Sequence, residues 1–165
     1  GTRPAGRQIA RLRQTALERG WDVAAPCPHA NDCPQPGLGR GPWCHFTLSP
    51  EGVPAWLEKL ARDARLPKAR ASLSFLLLTR NGGGRVILPP VSAAESVQEP
   101  VRLVSESFDL DRGFRGRYGC SEKGLVLLKM KEGRWADLPP GDLVHADFTK
   151  KSEKDRKSGA RIVSL

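Results

Sequence analysis

The sequence predicts an α/β fold followed by an antiparallel β unit, and three features carry this prediction. Residues 4–20 and 51–66 place apolar side chains at helical spacing. Residues 71–79 form a near-continuous apolar run, which is typical of a strand covered on both faces. From residue 101 onward, short β-rich runs alternate with turn-forming residues, which indicates an antiparallel meander.

The other elements follow in chain order. Residues 21–25 predict a short strand directly after the first helix, and a Pro- and Gly-rich loop covers residues 26–50. The glycine-rich segment 81–84 predicts a turn, so we expect the chain to return as a strand at 85–88. The β unit is predicted to contain three strands, at 101–108, 114–120 and 124–131, before an irregular stretch at 132–149.

These elements divide the chain into three parts. Residues 1–90 hold the helices, the cysteine-rich loop and the apolar strand, and residues 91–149 form the antiparallel β extension. Residues 150–165 are predicted to be a basic C-terminal tail. Within it, Lys150–Arg161 carries six basic residues against two acidic ones and shows no apolar period, so we expect this tail to be flexible.

The chain is strongly basic. Its 165 residues include 27 Lys and Arg against 18 Asp and Glu, which gives a formal net charge of +9. Such an excess favours a polyanionic partner, most often nucleic acid, and the alternative is that the charge only aids solubility. No apolar run approaches the ~18 residues of a membrane span, so no membrane partner is expected. The candidate RNA-binding residues are basic side chains of the first helix, the loop and the tail: Arg11, Arg13, Arg40, Lys150, Lys151, Lys154, Arg156 and Lys157.

The four cysteines form one pattern. Cys27, Cys33 and Cys44 lie in the 26–50 loop, and Cys120 ends a predicted strand. Two disulfides or four unrelated thiols are possible, but metal ligation better explains how a loop with few apolar residues is ordered. Zinc ribbons usually pair cysteines two to four residues apart, and no such pair occurs here, whereas iron–sulfur clusters tolerate wider spacing. Spacing alone therefore favours a metal centre and leaves both metals open.

Two histidines and two aromatic residues flank the loop cysteines. His29 or His45 could replace a thiolate in a zinc site, but the commoner role is a hydrogen bond to the backbone that orients the loop. Trp43 and Phe46 are expected to shield a cluster from water.

The loop cysteines sit in three short motifs: Val23–His29, Cys33–Pro34 and Trp43–Phe46. Together with Gly1-Thr2, Gly6 and the strand at Ser74–Arg80, these motifs resemble the signature of a family of methyltransferase-like proteins. That family comprises assembly factors of the mitochondrial small ribosomal subunit and has bacterial relatives. The sequence departs from the family pattern in a longer gap before Cys44 and in the absence of basic residues after Phe46.

The resemblance implies a fold, a cofactor and partners. The chain is expected to be the C-terminal part of a Rossmann-like class I methyltransferase fold, with a cysteine-rich loop insertion and an added antiparallel β unit. Cys27, Cys33, Cys44 and Cys120 would bind one 4Fe-4S cluster, with zinc as the alternative. The implied partners are small-subunit rRNA, ribosomal proteins or other assembly factors, and the rest of its own domain, in the mitochondrial matrix.

Three functions follow from these features. The favoured one is a non-catalytic assembly factor that binds rRNA and carries a structural 4Fe-4S cluster. The second is an S-adenosylmethionine-dependent RNA methyltransferase with its cofactor site upstream, because no glycine-rich turn here leads from a strand into a helix. The third, from spacing and charge alone, is a zinc-stabilised nucleic-acid-binding module.

Overall fold

Two helices and ten strands make up the described part of the chain in a computed structural model. That part comprises residues 1–37, 43–48, 52–65, 71–80, 98–131, 138–149 and 153–164. The helices are α1 (Arg3–Glu18) and α2 (Ala55–Asp63). The strands are β1 (Trp21–Ala25), β2 (Phe46–Leu48), β3 (Ala71–Leu73), β4 (Leu77–Arg80), β5 (Gln98–Leu103), β6 (Phe108–Leu110), β7 (Phe114–Ser121), β8 (Gly124–Lys131), β9 (Leu143–Asp147) and β10 (Arg161–Ser164).

Helix α1 confirms the prediction for residues 4–20 to within two residues. The Thr2 side chain caps its N-terminus by accepting a hydrogen bond from the Ala5 N–H at 3.4 Å. The helix ends before Gly20, whose φ of +76° suits a residue without a Cβ. Apart from Arg13, the buried residues of this helix are small (Gly6, Ala10 and Ala16), which allows other segments to approach the helix axis closely.

Helix α2 is shorter than the predicted helix at 51–66, since it begins only after Pro54. Its apolar side chains do not reach a core in the described structure: Trp56 is 67% exposed and Leu60 is 56% exposed. No helix in the described ranges is long and apolar enough to cross a membrane.

The apolar run at 71–79 is not one strand covered on both faces, and that prediction is wrong. The run divides because β3 pairs antiparallel with β2, whereas β4 pairs antiparallel with β1. Residues 74–76 join the two strands without sheet pairing. Leu73 and Leu77 remain 47% and 55% exposed. The predicted turn at 81–84 and strand at 85–88 lie outside the described residues.

A six-stranded sheet forms the second half of the structure. Its strand order is β10-β8-β7-β5-β9, and β6 also pairs with β7. The predicted strands at 114–120 and 124–131 are confirmed as β7 and β8. The predicted strand at 101–108 is wrong in extent, since β5 begins at Gln98 and β6 is a separate short strand. The sheet is mixed, because β10 runs parallel to β8.

The core of this sheet is a single apolar cluster. Val101 illustrates how tightly it packs: a Cβ on Gly119 would lie 2.3 Å from the Val101 Cγ1, so only glycine fits there. Both edge strands contribute side chains to this cluster, β9 through Val144 and β10 through Val163. The two edges of the sheet therefore pack against the same core. The cluster contains Val101, Leu103, Val126, Leu128, Met130, Val144, Ala146, Phe148 and Val163.

The C-terminal segment is ordered in the described residues 153–164, so the prediction of a flexible tail is wrong for them. The Ile162 N–H donates to the Glu153 carbonyl at 2.8 Å, which folds the segment back on itself. Arg161 donates to the Phe148 carbonyl at 3.0 Å and lies over the Phe148 ring. The reason is that Ala160 and Val163 are buried in the sheet, and this burial outweighs the charge of the segment.

Replacing Val163 by Ala tests whether this segment is part of the folded core. Val163 is 4% exposed, so Val163→Ala removes buried methyl groups and should lower the free energy of unfolding by about 2 kcal/mol. The neighbouring Ser164 is exposed, and Ser164→Ala should change the free energy of unfolding by less than about 0.5 kcal/mol. Urea unfolding measures both, and equal effects of the two variants would contradict the packing of β10.

Candidate functional site

The loop that follows β1 is held between α1 and the six-stranded sheet. On the helix side, the Arg13 Nη2 donates to the His29 carbonyl at 2.7 Å, and the Arg7 Nη2 donates to the Gly37 carbonyl at 3.0 Å. On the sheet side, the Arg102 Nε donates to the Pro26 carbonyl at 2.9 Å. These contacts fix the loop mainly by hydrogen bonds to its backbone, which suits a segment with few apolar side chains.

Two close approaches bring the end of this loop onto the rest of the structure. Trp43 packs on α1 at Gly6, where a Cβ would lie 2.6 Å from the indole ring, so the helix needs glycine there. Phe46, which begins β2, is 3% exposed and shares an apolar cluster with Val104 and Cys120. Phe46 therefore lies in the same apolar cluster as one of the four cysteines.

The four cysteines converge on one region and are free thiols. Cys27 follows β1, Cys33 lies in the loop, Cys44 precedes β2, and Cys120 lies on β7. A deprotonated Cys27 or Cys33 would raise the pKa of Cys44, and a deprotonated Cys27, Cys33 or Cys44 would raise that of Cys120. The four groups are therefore within electrostatic reach of one another. The Cys120 Sγ also lies 3.7 Å from the His29 Nε2.

Burial keeps three of the thiols protonated. It raises the pKa of Cys33, raises the pKa of Cys44 to about 12, and raises the pKa of Cys120. Because the thiolate is the form that binds metals, any ligand at this site must replace the lost solvation of the sulfurs with its own charge.

Arg13 is the cation of this site. Its side chain is 2% exposed, and its Nε donates to the Cys27 Sγ at 3.2 Å. The Nη1 is buried and has no hydrogen-bond partner within the described structure. The candidate role of Arg13 in RNA binding is wrong, because a buried guanidinium cannot reach a phosphate in solvent. Sequence reasoning missed its position, although Arg13 falls in helical register with Ala10 and Ala16 on the small-residue face of α1.

The two histidines of the loop have different roles. The His45 Nδ1 lies 2.9 Å from the Trp43 carbonyl, and the His45 ring stacks on Trp43 with centroids 3.9 Å apart. This is the predicted backbone-orienting role. His29 faces the thiols instead, and burial followed by the charge of Arg13 lowers its pKa, so the imidazole is neutral. Its Nδ1 is buried without a partner among the described residues.

A match to a protein family identifies the family to which the chain belongs. The model of the family described as mitochondrial small ribosomal subunit Rsm22 matches residues 1–137. The chain belongs to the Rsm22 family. The matched range includes all four cysteines and every strand from β1 to β8. No curated protein and no solved structure matches the chain.

Membership of the Rsm22 family gives the chain a role in the biogenesis of the mitochondrial small ribosomal subunit. The implied mitochondrial location is confirmed by the same match. Ribosome-related partners follow from this membership.

The remaining candidate RNA-binding residues are distributed as follows. Arg11, Lys154, Arg156 and Lys157 are exposed. Arg40, Lys150 and Lys151 lie outside the described residues. The exposed basic side chains of the 153–157 segment are thus presented next to a folded strand rather than on a free tail.

The side chains that the structure describes at this site do not form a binding site for a single metal ion. In the ranges described, no group of three or more His, Cys, Asp or Glu side chains is arranged to hold a single metal ion. A tetrahedral zinc site would need its sulfurs about 3.8 Å apart around one ion, given Zn–S bonds of about 2.3 Å. What the described site does offer is four free thiols, the buried cation of Arg13 and a buried His29 Nδ1 without a partner in the described residues.

Raising the pH should destabilise the metal-free chain through these thiols. The pKa of Cys44 is near 9.0 when the chain is unfolded and about 12 when it is folded, so the folded chain holds a proton that the unfolded chain loses. The stabilisation is complete below the unfolded pKa and is lost as the pH rises toward the folded pKa. We expect the urea midpoint of metal-free protein to fall from about pH 8 to about pH 11. In Cys44→Ser the fall should be smaller, and an identical fall in both proteins would contradict the burial of this thiol.

Proposed function

We propose that the chain is a non-catalytic assembly factor of the mitochondrial small ribosomal subunit that binds rRNA and carries a structural 4Fe-4S cluster. The observation that carries the cluster proposal is the convergence of Cys27, Cys33 and Cys44 from the loop with Cys120 from the sheet. Two parts of the chain that are far apart in sequence supply one set of thiols.

The chemistry of the donor set supports iron–sulfur over zinc. Four thiolates are the usual ligands of a 4Fe-4S cluster, and such a cluster spans more space than one ion. Bound there, it would cross-link the loop to β7. The chain itself supplies the four sulfurs, the charge of Arg13 against the anionic thiolates, and an apolar cover from Phe46 over Cys120. A zinc site remains the alternative outcome of the experiment below.

The fold of the first part is proposed to be the C-terminal portion of a Rossmann-like methyltransferase domain. The order α1 then β1 suits an α/β unit, and the exposed apolar side chains of α2, β3 and β4 offer a surface for the rest of that domain. The described residues contain no glycine-rich turn that leads from a strand into a helix. We therefore assign no residue in this part of the chain a role in methyl transfer.

The rRNA proposal depends on exposed positive charge. The chain carries a net charge of +9, and Lys154, Arg156 and Lys157 stand together on one exposed segment that is anchored by β10. Phosphate contacts from such side chains give affinity without base specificity. An ordered segment binds with a smaller entropy cost than a flexible tail does.

Metal analysis tests the cluster. Protein purified without oxygen should be brown, absorb near ~400 nm, and contain iron and acid-labile sulfide in equal amounts, about four of each per chain. Cys27→Ser and Cys120→Ser should both lose most of the iron, because each removes a ligand from a different part of the chain. Ser164→Ala is the control and should retain it. One zinc ion per chain with no iron in anaerobic protein would contradict the proposal.

Salt dependence tests rRNA binding. The double variant Lys154→Gln, Arg156→Gln should bind a small-subunit rRNA fragment more weakly, with the slope of log affinity against log salt reduced by about 1–2. The matched control, Lys59→Gln with Arg62→Gln on the exposed face of α2, removes the same charge elsewhere and should leave the slope unchanged. Equal changes in the two double variants would show that net charge alone, and not this segment, determines binding.

A further inference from the structure

A cleft of about 540 Å³ lies between the cysteine-rich loop and the six-stranded sheet, apart from the thiols. This volume is in the range of small-ligand pockets, which run from about 300 to about 1,000 Å³. The loop contributes Gln35, Trp43 and His45 to its lining, and the sheet contributes Phe108 and Tyr118. Of the candidate RNA-binding residues predicted from the sequence, Lys157 lines this cleft.

Aromatic rings line the cleft from both sides. The stacked pair of Trp43 and His45 lies on the loop side, with only 15° between the ring planes. Phe108 and Tyr118 pack together on the sheet side with centroids 5.3 Å apart. All four side chains are half-buried, so part of each ring is available to a ligand. Two such pairs facing one space suit a flat heteroaromatic ring, which stacks on aromatic side chains.

Gln35 adds a specific hydrogen-bonding group to this lining. The residue is 4% exposed, and its side-chain Nε2 is buried with no hydrogen-bond partner in the described structure. A buried amide donor without an acceptor is unfavourable, and native structures rarely leave one unpaired. The backbone of Gln35 is fully used, because its carbonyl accepts from the Cys44 N–H at 3.2 Å and its N–H bonds to the Cys33 thiol. The side chain is therefore held in place with its donor group unused.

Charged groups at the cleft complete the match to a nucleotide. Arg3 and Lys157 line it, and Lys157 is exposed, as a phosphate partner must be. Glu106 lines it as well, and a carboxylate there can accept a hydrogen bond from the amino group of a base. The cleft thus combines ring surfaces for a base, polar groups for its edge and cations for its phosphate.

We propose that this cleft binds one unpaired nucleotide of an RNA strand, with the base stacked between the two aromatic pairs and hydrogen-bonded to Gln35, and the phosphate near Lys157. The proposal rests on the proposed rRNA-binding function and names the part of the RNA that is recognised. An unpaired nucleotide is required because a base inside a duplex has no free face to stack.

A fluorescent base analogue tests this proposal on the full chain. The probe is a single-stranded RNA of eight nucleotides with one central 2-aminopurine, whose emission is quenched when it stacks on aromatic rings. The wild-type chain should quench the single strand and leave the same probe in a duplex unchanged. Phe108→Leu keeps the apolar packing over Gly116 but removes a ring, so it should abolish the quenching and weaken binding about tenfold. Phe114→Leu, the same change on β7 outside the cleft, should leave both at the wild-type level.

The Gln35→Met variant separates a binding role from a structural one. It has a similar shape and removes an unpaired buried donor, so the melting temperature should stay the same or rise. Binding of the eight-nucleotide strand should nevertheless weaken about tenfold, since a lost hydrogen bond to a ligand in a buried site costs this much. A structural role alone would lower the melting temperature and leave the affinity of the folded protein unchanged, and that result would overturn the proposal.

The remaining outcomes are also decisive. Equal quenching in Phe108→Leu and Phe114→Leu would overturn the assignment of the cleft. If free adenosine monophosphate bound as tightly as the eight-nucleotide strand, the cleft would be a mononucleotide site, and the RNA assignment would be overturned. Iron content and salt-dependent binding of the structured rRNA fragment are measured on the same preparations. If the iron content and the binding of the structured rRNA fragment persist while the single strand is not bound, the cleft proposal fails and the proposed function stands.

Discussion

The approach of three half-buried loop thiols and the buried Cys120 to Arg13 is the constraint on which the position of the cysteine-rich loop depends. The described loop offers little apolar surface of its own, since Phe46 is the one large apolar side chain that is buried among its described residues. Hydrogen bonds from Arg7, Arg13 and Arg102 hold its backbone, but backbone hydrogen bonds contribute modestly because water competes for them. A group that binds all four thiolates would add its binding free energy directly to the folding of this loop.

The electrostatics of the site indicate how binding of a metal group to the thiols would be coupled to folding. The guanidinium of Arg13 is 2% exposed, and burial raises the pKa of Cys33, Cys44 and Cys120. A buried cation costs free energy unless an anion lies beside it. The raised thiol pKa values make deprotonation of these thiols costly, and a bound group would have to offset that cost. Thiolates that bound the proposed cluster would also supply negative charge beside Arg13.

The sequence predicted the elements that depend on local pattern and missed those that depend on distant partners. Helix α1 and strands β7 and β8 carry their own periodicity, so they were predicted with small errors. Strand β10 has four residues in a basic segment and owes its structure to β8, which lies thirty residues or more away in the chain. The apolar run at 71–79 predicts one strand from its composition alone. Its division cannot be predicted locally, because it arises from pairing with two different strands, β1 and β2. The cysteines were found because their motif is dense, whereas the position of Arg13 required the face of the helix to be known.

The thiol site and the cleft are neighbouring parts of one arrangement. Gln35 connects them directly, since its backbone bonds to Cys33 and Cys44 while its side chain lies in the wall of the cleft. Tyr118 makes a second connection, because it packs against the cluster of Phe46, Val104 and Cys120 and also lines the cleft. The wall of the cleft therefore includes residues whose position depends on the loop. If the proposed cluster orders the loop and the proposed nucleotide binds in the cleft, linkage requires that each strengthens the binding of the other by the same free energy.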